Sequence, residues 1–234
     1  MTDLMAAIVD RPQRDRARAG IAAWMAFMVA LLVGRDIDDA GSFVVAGVGG
    51  AAIVLRGFAA ASGVRSLPRR DIAQRVRLTL LAIAAGAGLG LANVAANWLI
   101  AGMHPLIRAA LVERFVALRP LDALVAAPIV EEVEVRLFLM SALAWILARV
   151  TRRGDVALGL ALIGSAMVFA ALHLARPLPL DPALANLYRA ALIAKYTMAG
   201  LGLGWIFWRW GLPYAILCHA AVNAAHLALQ NRVF

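Results

Sequence analysis

The sequence predicts an all-α, polytopic membrane protein with about seven transmembrane helices, and three observations carry that prediction. Apolar residues make up 63 % of the 234 positions, against about 45–50 % in soluble domains. The mean hydropathy of +0.81 leaves more apolar surface than a water-facing monomer can hide, so lipid must solvate part of it. Uncharged runs recur between charged clusters, and about 20 apolar residues span a bilayer as helix. No stretch alternates as a membrane-barrel strand does, which leaves helices to satisfy the backbone in lipid.

The spans follow in order. The first lies between Arg18 and Arg35 and the second between Asp39 and Arg56, both short for a perpendicular crossing. The third, Leu78 to Met103, has room to tilt. The fourth, Ala123 to Ala148, is interrupted by Glu131, Glu132, Glu134 and Arg136. The fifth is Val156 to Ala175, the sixth Ala190 to Trp208 and the seventh Leu212 to Gln230. Between the third and fourth, His104 to Pro120 reads as an amphipathic helix in the headgroup plane, with Ile107, Leu111, Phe115 and Leu118 as one apolar stripe. Arg176 to Leu187, with three prolines, reads as a loop. Gly86, Gly88 and Gly90, like Gly200, Gly202 and Gly204, are small residues for close helix packing.

The net charge of +9 fits arginine-rich loops against anionic headgroups better than a nucleic-acid partner. The polar N-terminus leads into a retained first span, since no small-residue cleavage site follows it. With seven spans, the N-terminal side carries about twice as many lysines and arginines as the other, which predicts N-in, C-out. On those limits His173 lies near the non-cytoplasmic end of its span and His219 nearer the cytoplasmic end of its own. The lone Cys218 excludes an internal disulfide and any CxxC metal site. Residues 1–120 hold the N-terminal membrane helices and interfacial segment, and 121–234 the core that carries the polar motifs, in one integrated membrane domain.

An ionisable group inside a bilayer costs at least about 2.5–3.5 kcal/mol, so each one is a functional candidate. In the fourth span Glu132 and Arg136 stand at i,i+4, acid first, the order that favours an ion pair, while Glu131 points about 100° away. The fifth span ends in Phe169-Ala-Ala-Leu-His173, and the seventh places His219 and Asn223 on one face with His226 a turn further. Three spans thus carry polar groups that lower their cost by facing one another around a hydrated pocket. A carboxylate beside a histidine there can take a proton from water, and a second histidine with an asparagine can donate to an oxyanion. Glu134 and His226 are read as supporting groups, and Lys195 as snorkelling or paired with a carboxylate.

In these motifs the chain resembles the CPBP intramembrane proteases, also called the Abi family, which include the CAAX-prenyl endopeptidases. The family marks are EExxxR, FxxxH and HxxxN or HxxxD on successive helices. Here they stand as Glu131-Glu132…Arg136, Phe169…His173 and His219…Asn223, with Gly200-Leu-Gly-Leu-Gly204 before the last helix. The family often has an aromatic before the arginine and a glycine after it, where this chain has Val135 and Leu137. The resemblance implies an intramembrane endopeptidase in which Glu131 and His173 activate water and His219 and Asn223 bind the oxyanion. Glu132 and Arg136 would then hold the first helix of the site. It also implies no required metal or cofactor, a peptide or membrane-protein substrate that in some members is lipidated, and a multi-pass protein of a cell inner membrane. Two other readings stand beside it: a non-enzymatic immunity or scaffold protein, and a metal-dependent hydrolase using Glu131, Glu132, His173 and His219.

Overall fold

The computed structural model describes residues 71–116, 120–174 and 180–233, and these are helical almost throughout. Helix α1 (Ile72–Ala101) begins where the Asp71 carboxylate accepts from the Gln74 amide, an N-cap that satisfies one of the first free amides. Helix α2 (Pro105–Val116) follows a short turn. The charged fourth span is a chain of unlike helical pieces: π1 (Asp122–Ala126), α3 (Ala127–Glu131), π2 (Glu132–Met140) and α4 (Ser141–Thr151). Then come α5 (Gly154–Leu172), α6 (Pro182–Trp210) and α7 (Leu212–Val233).

Among the described residues, four stretches are long and apolar enough to cross a membrane: α1, α5, α6 and Leu212–Leu229 of α7. The first two predicted spans lie outside the described residues. The fourth is continuous helix but too charged to count by hydropathy, and its burial inside the bundle is what makes those charges tolerable. The chain is a multi-pass helical membrane protein.

Two details correct the sequence reading. The segment read as a loop to Leu187 is already helix from Pro182, because the Asp181 carboxylate caps the amides of Ala183 and Leu184 and the proline fits the first turn. On α2 the apolar stripe meets protein where an interfacial helix would turn it to lipid. Ile107 and Leu111 are fully buried against Ile100, Tyr188 and Leu192; Phe115 and Leu118 lie outside the described side chains.

Glycine contacts set the helix directions. An added Cβ at Gly86 would strike the Cys218 carbonyl and Ala221, and one at Gly90 would meet Ala225 at 2.7 Å and the Val222 carbonyl at 2.8 Å. Residue numbers rise together, so α1 and α7 run parallel. Gly200 lies on Ala166 and Gly204 on Leu162, so α5 and α6 run antiparallel. Among the described residues, an added Cβ at Gly88 meets nothing within 4 Å. Gly86→Val should therefore lower the melting temperature in detergent, because a backbone carbonyl cannot step aside as a side chain does; overpacking of this kind costs about 1–3 kcal/mol or more. Gly88→Ala should leave stability level or raise it by up to about 1 kcal/mol. Equal effects at the two positions would refute the packing account.

The core is shared across the chain. Ala82 of α1 packs in one cluster with Leu137, Met140, Ala161, Leu203 and Phe207. The turn into α7 needs Gly211, whose φ of 101° lies in the left-handed region.

Candidate active site

The site begins at a change of helix type. The α-to-π transition falls between the two adjacent glutamates, Glu131 ending α3 and Glu132 opening π2. π-helical turns are rare and concentrate at functional sites. A local cause lies one turn earlier, where buried Pro128 has no N–H and its ring crowds the carbonyl four residues back; π1 widens the helix there.

Glu132 is fully buried. One carboxylate oxygen faces the Arg136 Nε at 3.4 Å, and the other accepts from His219 Nδ1 at 2.8 Å. Arg136, also fully buried, points a guanidinium nitrogen at the Gly200 carbonyl, 3.4 Å away, and lies 4.4 Å over the Phe169 ring. Gly200 allows this because its helix sits directly on Ala166. Glu132 thus does more than the predicted helix-holding pair: it also fixes the imidazole of His219, turning the ring so that Nε2 points at Glu131.

Glu131 differs from its neighbour in access. Its side chain is 29 % exposed where that of Glu132 is 0 %. The carboxylate oxygen Oε2 stands 3.8 Å from His219 Nε2 and 3.9 Å from His173 Nε2. Both separations exceed a direct hydrogen bond. His173 closes the C-terminal end of α5. Its Nδ1 lies 2.8 Å from the Phe169 carbonyl, and a carbonyl only accepts, so Nδ1 carries the hydrogen and the Nε2 lone pair faces Glu131 in the neutral ring. The structure brings Glu131, His173 and His219 together from three helices, although the span limits set the two histidines at different depths.

Asn223 is placed differently. Its amide nitrogen donates to the Ala123 carbonyl at 2.7 Å, tying α7 to π1 and committing one of its two hydrogens.

Phe169 explains why an aromatic stands four residues before His173. Its ring lies 4.5 Å from that imidazole and 6.1 Å from His219, filling the space between the Arg136 pair and the Glu131 oxygen. Sequence reasoning missed two residues here. Tyr196 stacks on His173 at 4.2 Å, and Asn97 of α1 accepts from Lys195 at 2.8 Å. An asparagine in an apolar span is itself a signal and would have found the second.

Among the described residues no group of three or more His, Cys, Asp and Glu side chains is arranged to hold a metal ion. Glu132, which a metal-binding alternative would use, is engaged by Arg136 and His219.

The fold and site define a helical membrane protein with a partly buried carboxylate between two imidazoles inside its bundle. Residues 113–225, just under half of the chain, match the family model described as type II CAAX prenyl endopeptidase Rce1-like. That match supports membership of the CPBP or Abi family of intramembrane proteases. No curated protein and no solved structure matches it.

Proposed function

We propose that the chain hydrolyses a peptide bond inside the membrane, using a water held by Glu131 and His173. The observation that carries this reading is a partly exposed glutamate whose inner, buried carboxylate oxygen faces imidazole nitrogens from two other helices at 3.8 Å and 3.9 Å. Glu131, with the His173 lone pair beside it, takes a proton from the water as its oxygen attacks the substrate carbonyl. His219 in its protonated form keeps Nδ1–H on Glu132 and gives Nε2–H to the developing oxyanion, with the second Asn223 hydrogen as the other donor. The proton gained by Glu131 then passes to the leaving amine, so the site is restored when the two fragments depart.

The substrate in this reading is a membrane peptide or membrane protein, lipidated as the family description "CAAX prenyl endopeptidase" indicates for that family. The bilayer is the second partner, nucleic acid is not one, and the site of action is a cell inner membrane. The chemistry as drawn uses side chains alone, without a cofactor.

The test is a comparison of fragments. Wild type and Glu131→Gln in matched membranes are incubated with the same membrane peptides, and the products are sequenced by mass spectrometry. New termini that appear only with wild type support the reading. Identical fragment sets from the two, with both proteins folded, would overturn it in favour of a non-enzymatic role.

A further inference from the structure

His173 closes α5, and its imidazole takes its support within that helix from Phe169, one turn earlier. The Phe169 carbonyl accepts from Nδ1 at 2.8 Å, and the Phe169 ring lies 4.5 Å away with its plane tilted by 52°. One hydrogen bond does not fix the plane of an imidazole. The outer torsion of a histidine is broad and roughly two-fold, and a half-turn about it exchanges Nε2 for the carbon Cε1. Nε2 then no longer faces the Glu131 oxygen that stands 3.9 Å from it. A ring that is to keep its lone pair toward Glu131 needs a second constraint, on its face.

Helix α6 supplies it. Tyr196 stacks on His173, with ring centroids 4.2 Å apart and planes 27° apart. The tyrosine ring is held in its turn: Phe169 meets it edge-on at 6.4 Å, and Lys195 Nζ lies 4.2 Å from its centroid. Lys195 is 8 % exposed and donates to Asn97 Oδ1 of α1 at 2.8 Å, so it stays inside the bundle and does not snorkel to water. Tyr196 stands four residues before Gly200, and residues at that spacing share one face of a helix. Gly200 is where α6 sits directly on Ala166 of α5 and where a carbonyl takes Arg136. The close approach of the two helices at this glycine brings the tyrosine ring onto the imidazole.

We propose that Tyr196 is a positioning residue of the site: stacked on His173, it sets the plane of the imidazole, so that with Nδ1 on the Phe169 carbonyl the Nε2 lone pair is kept toward Glu131. The proposal rests on the reading of Glu131 and His173 as the pair that activates water. It uses the ring of Tyr196 and not its hydroxyl, which makes phenylalanine the conservative replacement.

The experiment reads the imidazole first and the reaction second. The protein, isotope-labelled on its histidine nitrogens and held in phosphatidylcholine bilayers, is compared by solid-state NMR as wild type, Tyr196→Phe and Tyr196→Leu. The chain has 4 histidines, and the His173 signals are those absent from His173→Asn. The two neutral forms of an imidazole, with the hydrogen on Nδ1 or on Nε2, give separate pairs of nitrogen signals. Wild type and Tyr196→Phe should show His173 in the Nδ1–H form alone, and Tyr196→Leu a mixture of the two. On a cleaved substrate, Tyr196→Leu should lower kcat roughly tenfold or more with KM held within about threefold, as expected when an aromatic pair is lost and a reacting group is misplaced. Tyr196→Phe should restore kcat. If Tyr196→Leu does not fold, Tyr196→Met supplies the comparison. An unchanged His173 spectrum without the aromatic ring, or equal loss of activity in the phenylalanine and leucine variants, overturns the proposal. A spectrum that changes while the leucine variant cleaves as wild type does, or while wild type cleaves nothing, keeps Tyr196 as the brace of His173 and counts against the protease reading instead.

Discussion

Glu131→Gln should reduce peptide hydrolysis by about 10²–10⁴-fold, the usual contribution of a positioned general base, while leaving the fold intact. Glutamine keeps the shape of the side chain but cannot take the proton from water. Stability should hardly change, because the Glu131 Oε2 atom makes no hydrogen bond among the described residues and its nearest nitrogens are 3.8 Å and 3.9 Å away. The measurement is kcat on an identified substrate, beside the melting temperature of both proteins in one detergent. A variant that retains wild-type kcat would show that Glu131 is not the base. One that unfolds would show that the two imidazoles need its charge to stay packed.

Arg136→Met should give the largest loss of stability in the chain, about 3–5 kcal/mol, as expected when one member of a buried ion pair is removed and the other is left charged. Three contacts disappear together: the Glu132 carboxylate at 3.4 Å, the Gly200 carbonyl at 3.4 Å and the face of Phe169 at 4.4 Å. Unfolding in detergent, followed by circular dichroism against denaturant, reads the effect. The double variant Glu132→Leu with Arg136→Met should be less damaged than the sum of the two single variants, because no unpaired charge remains buried. Strict additivity would mean that the pair is not coupled and that its burial reflects packing alone. Activity should be lost in every one of these variants, since Glu132 is also what turns His219 Nε2 toward Glu131.

Much of this arrangement was legible in the linear chain. Charged residues in apolar runs are expensive, so Glu131, Glu132, Arg136, His173 and His219 stood out for a reason independent of their neighbours. The i,i+4 spacing of Glu132 and Arg136 predicted a pair, and the pair is there at 3.4 Å. The third, fifth, sixth and seventh spans reappear as α1, α5, α6 and α7, displaced at their ends where capping decides. Asp181 and Pro182 carried the start of α6, but three nearby prolines outweighed them as a loop signal. For α2 the periodic stripe was right and its partner was wrong, because periodicity tells which face is apolar and not whether lipid or protein covers it.

The sequence by itself determined that this is a multi-pass helical membrane protein with costly polar groups on three spans, since apolar composition and the position of charges within apolar runs are read directly from the chain. Only the tertiary structure decided how those groups divide their work. Which glutamate is partly exposed, which nitrogen of each histidine faces it, and that Asn223 holds a backbone carbonyl are matters of how helices approach and rotate against one another. Local spacing does not fix those approaches; the glycine contacts at Gly86, Gly90 and Gly200 and the π-helical turns around Pro128 and Glu132 do.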